Sequence, residues 1–294
     1  MADPVIRFRD VSKVFRRPNG RGDLLAVDKL SFEVAPGEIV AVLGKTGCGK
    51  STMFNLVAGL IEPTSGEVAV SGHNPFRDFE AFRGKIGIVF QGDRLMPWRT
   101  ALANVLLGLE ILDTDPKQAQ KVARGWLERL GLGGHENDYP HALSGGMRQR
   151  VSIARAFAVE PQLLLCDEPF SALDEMTARD LRKEFVRLVR QNGKTAVFIT
   201  HQISEAMEIG DRVLVCHRPA RIAFEARMDR EAPAGTRLEI QEKIMEVLSL
   251  EAGPAGDGAP SRTPEAGGRS LRSGRSRRRG AAHPRHRPAT RPSR

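Results

Sequence analysis

The sequence reads Gly44-Lys45-Thr46-Gly47-Cys48-Gly49-Lys50-Ser51-Thr52 directly after the apolar run 39–43, which predicts a buried strand. The glycines allow a tight turn whose backbone N–H groups point inward at the start of a helix, where anions are favoured. Lys50 is predicted to reach the β- and γ-phosphates of a nucleotide, and the Ser51 hydroxyl to ligate Mg²⁺. The alternative, a flexible glycine-rich turn, does not require Lys-Ser in this register. The stretch therefore predicts a cradle for a nucleoside triphosphate.

Length and composition exclude several classes of protein. The chain has 294 residues, of which 40% are apolar, as in a globular domain. Its longest apolar runs fall short of the roughly 18 residues that cross a bilayer, so we expect no membrane span. Residues 1–10 mix acids and bases and do not resemble a secretory signal. Cys48, Cys166 and Cys216 are widely spaced, which favours a reducing cytoplasm over a disulfide framework or a zinc site.

The net charge of +9 resides in the C-terminal tail. Residues 255–294 contain eleven Arg, no Lys and two acids, so the rest of the chain is neutral. The tail is dominated by Gly, Pro, Ser, Ala and Arg, which predicts disorder because such a segment cannot offset its ordering entropy. Clustered Arg binds polyanions non-specifically, so we expect no specific nucleic-acid partner; a tail that binds nucleic acid or anionic lipid is the alternative. We therefore expect a folded domain, 1–253, and a disordered Arg-rich tail, 254–294.

Strand and helix patterns alternate around the glycine-rich loop. Short strands and turns are predicted over 5–43, then a helix from the loop to about Leu60, then a strand over 85–90 that ends at Gln91. Beyond these, the predicted elements are a helical block over 92–158, the strand 163–166, the helix 174–191 and the strand 196–200. The alternation predicts an α/β fold with a mainly parallel core sheet covered on both faces, N-terminal antiparallel strands and the helical block as an insertion.

Two helices of the helical block have clear boundaries. Asp115 is predicted as an N-cap, with Pro116 at the first helical position. The apolar stripe of this helix includes Trp126, which is therefore predicted to pack in the core rather than to contact a ligand. A second helix is predicted from Ser144 to about Val159.

Three titratable residues stand at the ends of predicted strands. Asp167 and Glu168 follow the apolar strand 163–166, and His201 follows the strand 196–200. In a phosphate-loop fold, Asp167 is predicted to hold Mg²⁺ through water, and Glu168 to orient and polarise an attacking water. His201 is predicted to face the γ-phosphate, because the neighbouring strand ends at Asp167. The alternative for the acids is a solvated turn after a buried strand.

Ser144-Gly145-Gly146 opens the second helix of the helical block. A Ser N-cap followed by glycines builds another helix terminus that favours anions. A chain with one phosphate loop has no evident use for a second anion site. The order of the motifs along the chain offers an explanation.

These motifs resemble the full set of the ATP-binding-cassette ATPases over about residues 5–225. They are the glycine-rich loop Gly44 to Thr52, Gln91, Leu143 to Gln149, Leu163 to Glu168, Ser171 to Asp174, and His201. In that family two cassettes dimerise head to tail, and the resemblance implies the same for two copies of this chain. By this implication, Ser144, Gly145 and Gly146 bind the ATP that the loop of the other copy holds.

The resemblance also implies roles for single residues. Phe15 would stack on adenine within its own chain, whereas the sequence alone favours plain core packing for this residue. Gln91 would ligate Mg²⁺ and couple it and the γ-phosphate to the helical block. Asp174 would cross the dimer interface, and His201 would act as the switch. ATP and Mg²⁺ are the implied cofactors, with ATP joining the two copies and hydrolysis releasing them.

The segment after Gln91 resembles the importer branch for nitrate, sulfonate, taurine and related small solutes, where Pro-Trp occurs at this point. It reads Gly92-Asp93-Arg94-Leu95-Met96-Pro97-Trp98-Arg99-Thr100. The branch implies transmembrane permease subunits and a secreted or periplasmic solute-binding protein as partners. It also implies a peripheral position on the cytoplasmic face of the membrane. Trp98 has two open interpretations, an anchor for a helix of the permease or a core residue.

Two features depart from the family pattern. Lys45 stands where Pro is common, and the Arg-rich extension has no counterpart in the family. The main hypothesis is a transport ATPase subunit. The alternative is a soluble cassette ATPase acting in DNA repair or translation, but such proteins usually have tandem cassettes or a long coiled-coil insertion, and this sequence has neither.

Overall fold

The computed structural model describes residues 3–16, 22–229, 231 and 233–250. Within them the strands are β1 (Ile6–Phe15), β2 (Leu24–Val34), β3 (Ile39–Leu43), β4 (Ser65–Val70), β5 (Ile86–Val89), β6 (Leu163–Asp167), β7 (Thr195–Thr200), β8 (Arg212–His217) and β9 (Arg221–Arg227). The α-helices of the same residues are α1 (Lys50–Val57), α2 (Ala101–Ile111), α3 (Pro116–Arg129), α4 (Gly145–Ala158), α5 (Glu175–Gln191), α6 (Ile203–Ile209) and α7 (Ala234–Leu250). The tail, predicted to be disordered, lies outside the described residues.

The main sheet contains six strands in the order β5-β6-β7-β3-β8-β9. Neighbouring strands are parallel except β8 and β9, which form an antiparallel hairpin. Ile39 and Phe198 pack into the apolar cluster on one face, and Val40 and Val197 into the cluster on the other. The prediction of a mainly parallel sheet covered on both faces is confirmed.

The strand register brings the ends of three strands to one edge of this sheet. Leu43, at the end of β3, pairs with Thr200 of β7, and Asp167 of β6 pairs with Ile199 of β7. The residues that follow these strands are therefore neighbours in space. In open parallel sheets, this carboxyl-terminal edge is where ligands bind.

A separate antiparallel sheet contains β1, β2 and β4 in the order β2-β1-β4. The prediction of antiparallel N-terminal strands is confirmed, but β1 and β2 have 10 and 11 residues and are longer than the short strands expected. The length follows from pairing, because β1 has a partner on each side and continues through register shifts after Phe8. Phe8 and Phe32 stack across the β1–β2 pair with ring centroids 4.7 Å apart.

Helices α2, α3 and α4 lie between β5 and β6 in the chain and pack against one another. The predicted N-terminus of α3 is confirmed: Asp115 accepts hydrogen bonds from the backbone N–H groups of Lys117 and Gln118, and Pro116 takes the first position. Trp126 is 7% exposed and packs against Phe157, as expected for a core residue. Within the described residues, we find no helix with the length and apolar character needed to span a membrane.

Helix α1 ends at Val57, three residues before the predicted boundary near Leu60. Gly59 takes a left-handed conformation with φ of 70°, and the Leu60 N–H donates to the Asn55 carbonyl. This is the Schellman arrangement, in which glycine ends a helix and its last carbonyls find donors. Leu60 belongs to this cap rather than to the helix.

Candidate functional site

The glycine-rich loop lies between β3 and α1 and is packed tightly against its surroundings. A Cβ atom on Gly49, whose φ is 115°, would lie 2.5 Å from the Ala26 carbonyl oxygen. A Cβ atom on Gly44 would lie 2.6 Å from the Cys216 carbonyl oxygen. Side chains are thus excluded at both positions, because β2 and the end of β8 hold the loop from two sides.

Lys50 is the first residue of α1 and is 6% exposed. Its Nζ donates hydrogen bonds to the carbonyl oxygens of Gly44, at 2.6 Å, and Lys45, at 3.0 Å. The ammonium group is therefore folded across the loop at a helix N-terminus. An anion that enters the loop meets a fixed positive charge together with the partial charge of the helix.

A cavity of about 230 Å³ opens beside the loop. Its lining brings together the loop, Phe15, Glu168 and side chains that the sequence analysis did not name; the residues are Phe15, Leu24, Leu25, Ala26, Thr46, Gly47, Gly49, Lys50, Ser51, Thr52, Glu168 and Arg218. Phe15 is 37% exposed, so its ring is available to a base and is not plain core. Cys48 lies in the loop with its side chain buried in the core. The volume is below the roughly 300–1,000 Å³ of pockets that enclose a small ligand.

The two acids meet at the edge of the sheet. Asp167 ends β6, and its pKa is raised because burial and the adjacent Glu168 carboxylate outweigh the attraction of Lys50. Glu168 has a φ of 44°, unusual for a residue with a side chain, and its N–H donates to the Ile199 carbonyl at 2.9 Å. Its position is therefore set by the neighbouring strand β7. The electrostatic coupling of Asp167 to Lys50 argues against an isolated solvated turn.

His201 directly follows β7 and faces the acids. Its Nδ1 lies 2.9 Å from Oε2 of Glu168. The imidazole is 43% exposed by side chain, whereas the Glu168 carboxylate is 17% exposed. The structure thus joins the two residues that the sequence placed at the ends of separate strands. Glu168 also lines the cavity beside the glycine-rich loop, whereas His201 does not.

Gln91 is exposed, beyond the end of β5, and is not among the residues that line the cavity. Asp93, which follows Gln91 by two residues, is held to α4 by hydrogen bonds. Arg148 donates to the Asp93 carboxylate at 2.9 Å, and Arg155 donates to the Asp93 carbonyl at 2.8 Å. Burial lowers the pKa of Arg155, although Asp93 opposes the effect. Asp93, two residues after Gln91, is thus bonded to the helix that begins at Gly145.

Ser144 is the N-cap of α4, and its Oγ accepts a hydrogen bond from the Met147 N–H at 3.2 Å. A Cβ on Gly146 would lie 2.8 Å from the Thr177 side chain, so this terminus sits close to the start of α5. Asp174 caps α5, and the hydrogen bond from the Thr177 N–H lowers the pKa of Asp174. Ser144, Gly145 and Gly146 are not part of the lining of the cavity beside the glycine-rich loop. The N-terminus of α4 and the glycine-rich loop are therefore separate features of one chain.

Arg218 is a cavity residue that the sequence analysis missed. It lies in the turn between β8 and β9, which hydrogen bonds hold against β2: the Ala220 N–H donates to the Ala26 carbonyl at 2.9 Å, and the Asp28 N–H donates to the Ala220 carbonyl at 3.1 Å. Nothing in the linear pattern marks an Arg before a Pro as a ligand residue. Only the pairing of distant backbone segments brings it to the cavity.

Comparison with known proteins agrees with this site. The profile of the ABC transporter family matches residues 27–171. The chain is 37% identical over 218 residues to the taurine import ATP-binding protein TauB of Pelagibacter ubique, covering 74% of this chain and 80% of that protein. It is 39% identical over 236 residues to the nitrate import ATP-binding protein NrtC of Synechococcus elongatus, covering 79% of this chain but 35% of that longer protein.

A solved structure is similar over its whole length. It is a dimeric, post-hydrolysis state of the ATP-binding cassette MJ0796 bound to ADP and phosphate. The TM-score is 0.68 at 34% sequence identity, covering 76% of this chain and 99% of that one. The glycine-rich loop, the paired acids and the parallel sheet match what such a fold requires, and the chain therefore belongs to the ABC transporter family as an ATP-binding subunit, an ATPase coupled to transport.

Proposed function

We propose that this ATPase energises the import of a small solute, of the nitrate, sulfonate or taurine kind, through a separate membrane permease. The observation that supports hydrolysis most directly is the 2.9 Å contact of Glu168 with His201 beside the cavity that Glu168 and Lys50 line. Import is supported by the names of the taurine and nitrate relatives. Nothing in these relatives supports the alternative role in DNA repair or translation. Uptake of labelled taurine, nitrate and a sulfonate by the reconstituted complex tests the proposal.

Different residues of one chain bind the adenine, bind the phosphates and hydrolyse ATP. Phe15 stacks on adenine, and the loop N–H groups and Lys50 bind the phosphates. Glu168 takes the proton of a water whose oxygen attacks the γ-phosphorus, while the bond to the bridging oxygen breaks and ADP leaves. His201 holds the Glu168 carboxylate and contacts the γ-phosphate. Gln91 couples the presence or absence of the γ-phosphate to α4, because Asp93, two residues later, is bonded to that helix.

Magnesium fits the oxygen ligands that the chain provides. The Ser51 hydroxyl and the Asp167 carboxylate lie at the same edge of the sheet. The hydroxyl would ligate Mg²⁺ directly, and the carboxylate would hold it through water. Gln91 would supply a third oxygen if its side chain reached the site. Among the described residues there is no group of three or more His, Cys, Asp or Glu that forms a closed metal cage. Mg²⁺ bound beside nucleotide phosphates usually has only one or two carboxylate ligands from the protein. Bound there, the ion neutralises charge on the phosphates.

A second copy of the chain completes the site. The cavity of about 230 Å³ leaves part of a nucleotide uncovered, and the N-terminus of α4 is a second anion site in the same chain. In a head-to-tail pair, Ser144, Gly145 and Gly146 of one copy cover the ATP held by the other. Asp174 then lies at the interface. The dimeric cassette with ADP and phosphate supports this arrangement.

A second cavity of about 570 Å³ offers a docking groove for the permease. It lies between β5 with the 3₁₀ turn Phe79–Phe82 on one side and the ends of α2 and α4 on the other. Phe79 and Ile111 line it with exposed apolar surface, 54% and 58% exposed. We assign this groove to a cytoplasmic helix of the permease, because exposed apolar surface beside polar residues marks a protein-binding site. A solute-binding protein joins the complex on the far side of the membrane, and this chain sits peripherally on the cytoplasmic face.

Trp98 is 72% exposed, so the interpretation as a core residue is wrong. Its loop is held by Asn104, which is fully buried and accepts from the Met96 N–H at 2.7 Å and donates to the Arg99 carbonyl at 3.0 Å. Trp98 does not line the groove. It precedes α2, whereas Ile111 ends that helix, roughly 15 Å along its axis from Ala101. It remains a proposed second contact with the permease.

Replacing Ile111 by Glu is expected to weaken binding of the permease by about 10- to 100-fold, since burying an unpaired carboxylate in an apolar interface is unfavourable. Co-purification with the permease and solute uptake measure the effect, while the isolated chain should hydrolyse ATP as before. Leu238→Glu on α7 is the matched control, because Leu238 is 54% exposed and lies outside the groove. Wild-type uptake by the Ile111 variant would refute the assignment of the groove.

Replacing Arg218 by Ala is expected to raise the KM for ATP by about 10-fold with little change in kcat, because a charge-assisted hydrogen bond contributes roughly 1.5–3 kcal/mol to binding. Steady-state kinetics and the affinity for a fluorescent ATP analogue measure it. Arg221→Ala is the control, since Arg221 is exposed, begins β9 directly after the same turn and does not line the cavity. Equal KM values for the two variants would remove Arg218 from the site.

A further inference from the structure

A buried group of charges lies behind His201, between α5 and α6. Arg182 is 2% exposed and Glu205 is 2% exposed, and Glu205 is the one carboxylate fully buried among the described residues. The Arg182 guanidinium donates to Glu208 at 2.8 Å, to Glu175 at 2.7 Å and to Glu205 at 3.4 Å. Burial opposes the charge of Arg182, but the carboxylates of Glu175 and Glu208 outweigh it and raise the pKa of Arg182.

Stability alone is a weak explanation for such a group. Removing two charges from water costs several kcal/mol each, and buried ion pairs are often replaceable by apolar side chains without loss of stability. Burial raises the pKa of Glu205, against the hydrogen bond from Thr200 and the charge of Arg182. Retaining an ionisable carboxylate in this position is therefore costly. The geometry around Glu205 indicates what it is used for.

Hydrogen bonds connect Glu205 to both neighbours of His201. The Thr200 hydroxyl, fully buried at the end of β7, donates to Glu205 Oε2 at 2.5 Å. The same hydroxyl accepts from the Gln202 N–H at 3.0 Å. The residues before and after His201 are thus fixed by one hydroxyl that Glu205 orients. On the other side of Glu205, Arg182 donates a hydrogen bond to Glu175. Glu175 is the first residue of α5 and directly follows the N-cap Asp174.

We propose that Arg182, Glu205 and Thr200 form a positioning relay that holds His201 against Glu168 and ties it to the start of α5. The proposal rests on the proposed ATPase function and on the dimer in which Asp174 meets the second copy. When the second copy engages the start of α5, Glu175 and Arg182 shift together, and Glu205 transmits the shift through Thr200 to the backbone at His201. The three are positioning residues, because they act on the reaction through His201.

The Thr200→Val variant tests the relay, since Val keeps the branched shape of Thr and replaces the hydroxyl by a methyl group. We expect kcat for ATP hydrolysis to fall by about 10- to 100-fold, because catalysis is sensitive to displacements of about 1 Å, while the KM stays within about twofold. Thr200→Ser, which restores the hydroxyl, should recover kcat to within about threefold of wild type. A wild-type kcat for Thr200→Val, or a Ser variant as slow as the Val variant, would overturn the relay.

The matched control lies in another charged group of the fold. Arg212 is 9% exposed and donates to Glu225 at 3.0 Å and to Glu38 at 2.8 Å, and its hydrogen bonds involve neither Thr200 nor Glu205. Glu225→Gln should lower the melting temperature without lowering kcat. If it lowers kcat as much as Thr200→Val does, the effect is one of general stability and the relay is wrong.

Two further measurements keep the relay testable apart from hydrolysis. NMR of the His201 side chain in the nucleotide-free protein provides the first measurement. Compared with the wild type, the ring nitrogen signals should be shifted in Thr200→Val and unchanged in Glu225→Gln. Unshifted signals in the Val variant would overturn the relay even if the wild type proved inactive. Glu175→Gln alters a side chain that is 73% exposed, so it should fold normally. This variant should lower kcat by about threefold with KM unchanged. An unaltered kcat would show that the start of α5 does not act on His201.

Discussion

Glu168→Gln should hydrolyse ATP about 10²- to 10⁴-fold more slowly than the wild type, the contribution typical of a general base. Glutamine keeps the size of the side chain and its contact with His201, 2.9 Å away in the wild type, but takes up no proton. The backbone at this residue is fixed by the bond of its N–H to Ile199, so the substitution should not disturb the sheet edge. ATP binding should persist, and ATP-joined dimers should accumulate because hydrolysis no longer separates them.

Phosphate release and sedimentation with ATP and Mg²⁺ measure both effects of Glu168→Gln. Glu160→Gln provides a matched control, since Glu160 also has a positive φ, of 50°, and stands at the C-terminal end of α4 outside the cavity. It should hydrolyse ATP at the wild-type rate. Turnover by Glu168→Gln within about threefold of wild type would remove Glu168 from the role of base.

Ser144→Asp should abolish dimerisation by ATP and lower hydrolysis by at least about 10²-fold. Asp is as good an N-cap as Ser, so α4 should remain intact. Its charge, however, would face the triphosphate held by the other copy, and like charges about 4 Å apart repel by roughly 4 kcal/mol near a protein surface. Binding of a fluorescent ATP analogue to the monomer should be unchanged, because Ser144 is not part of the lining of the cavity of its own chain.

The neutral Ser144→Asn variant separates charge from capping. Asn caps helices as well as Ser does and adds no charge, so most of the hydrolysis should remain. The circular dichroism of both variants should match that of the wild type. Weakened binding of the nucleotide by the Ser144→Asp monomer would show that this helix terminus acts within its own chain, contrary to the proposed dimer.

Local patterns in the sequence predicted the frame of the fold well. The apolar run before the glycine-rich loop indicated β3, and Asp115 with Pro116 indicated the start of α3, because caps and buried strands depend on neighbouring residues. The edge that gathers the loop, Asp167 and His201 was predictable for a different reason, because the carboxyl ends of parallel strands lie at one edge of the sheet. The roles of Phe15, Gln91 and Ser144 toward a bound nucleotide stay predictions.

Other features depend on contacts between distant segments and leave no local pattern. Arg218 reaches the cavity through backbone hydrogen bonds between its turn and β2. Arg182 and Glu205 are 23 residues apart, and no local pattern joins them. The exposure of Trp98 was equally undetermined, because an aromatic residue before a helix suits either a core or an interface.

The most direct measurement of a site shared between two copies is the ATPase rate per chain over a dilution series, with the oligomeric state followed by sedimentation. If the N-terminus of α4 completes the site of the other copy, the rate per chain should rise with concentration and level off as ATP-bound dimers come to predominate. A full rate in solutions that contain only monomer would contradict the shared site.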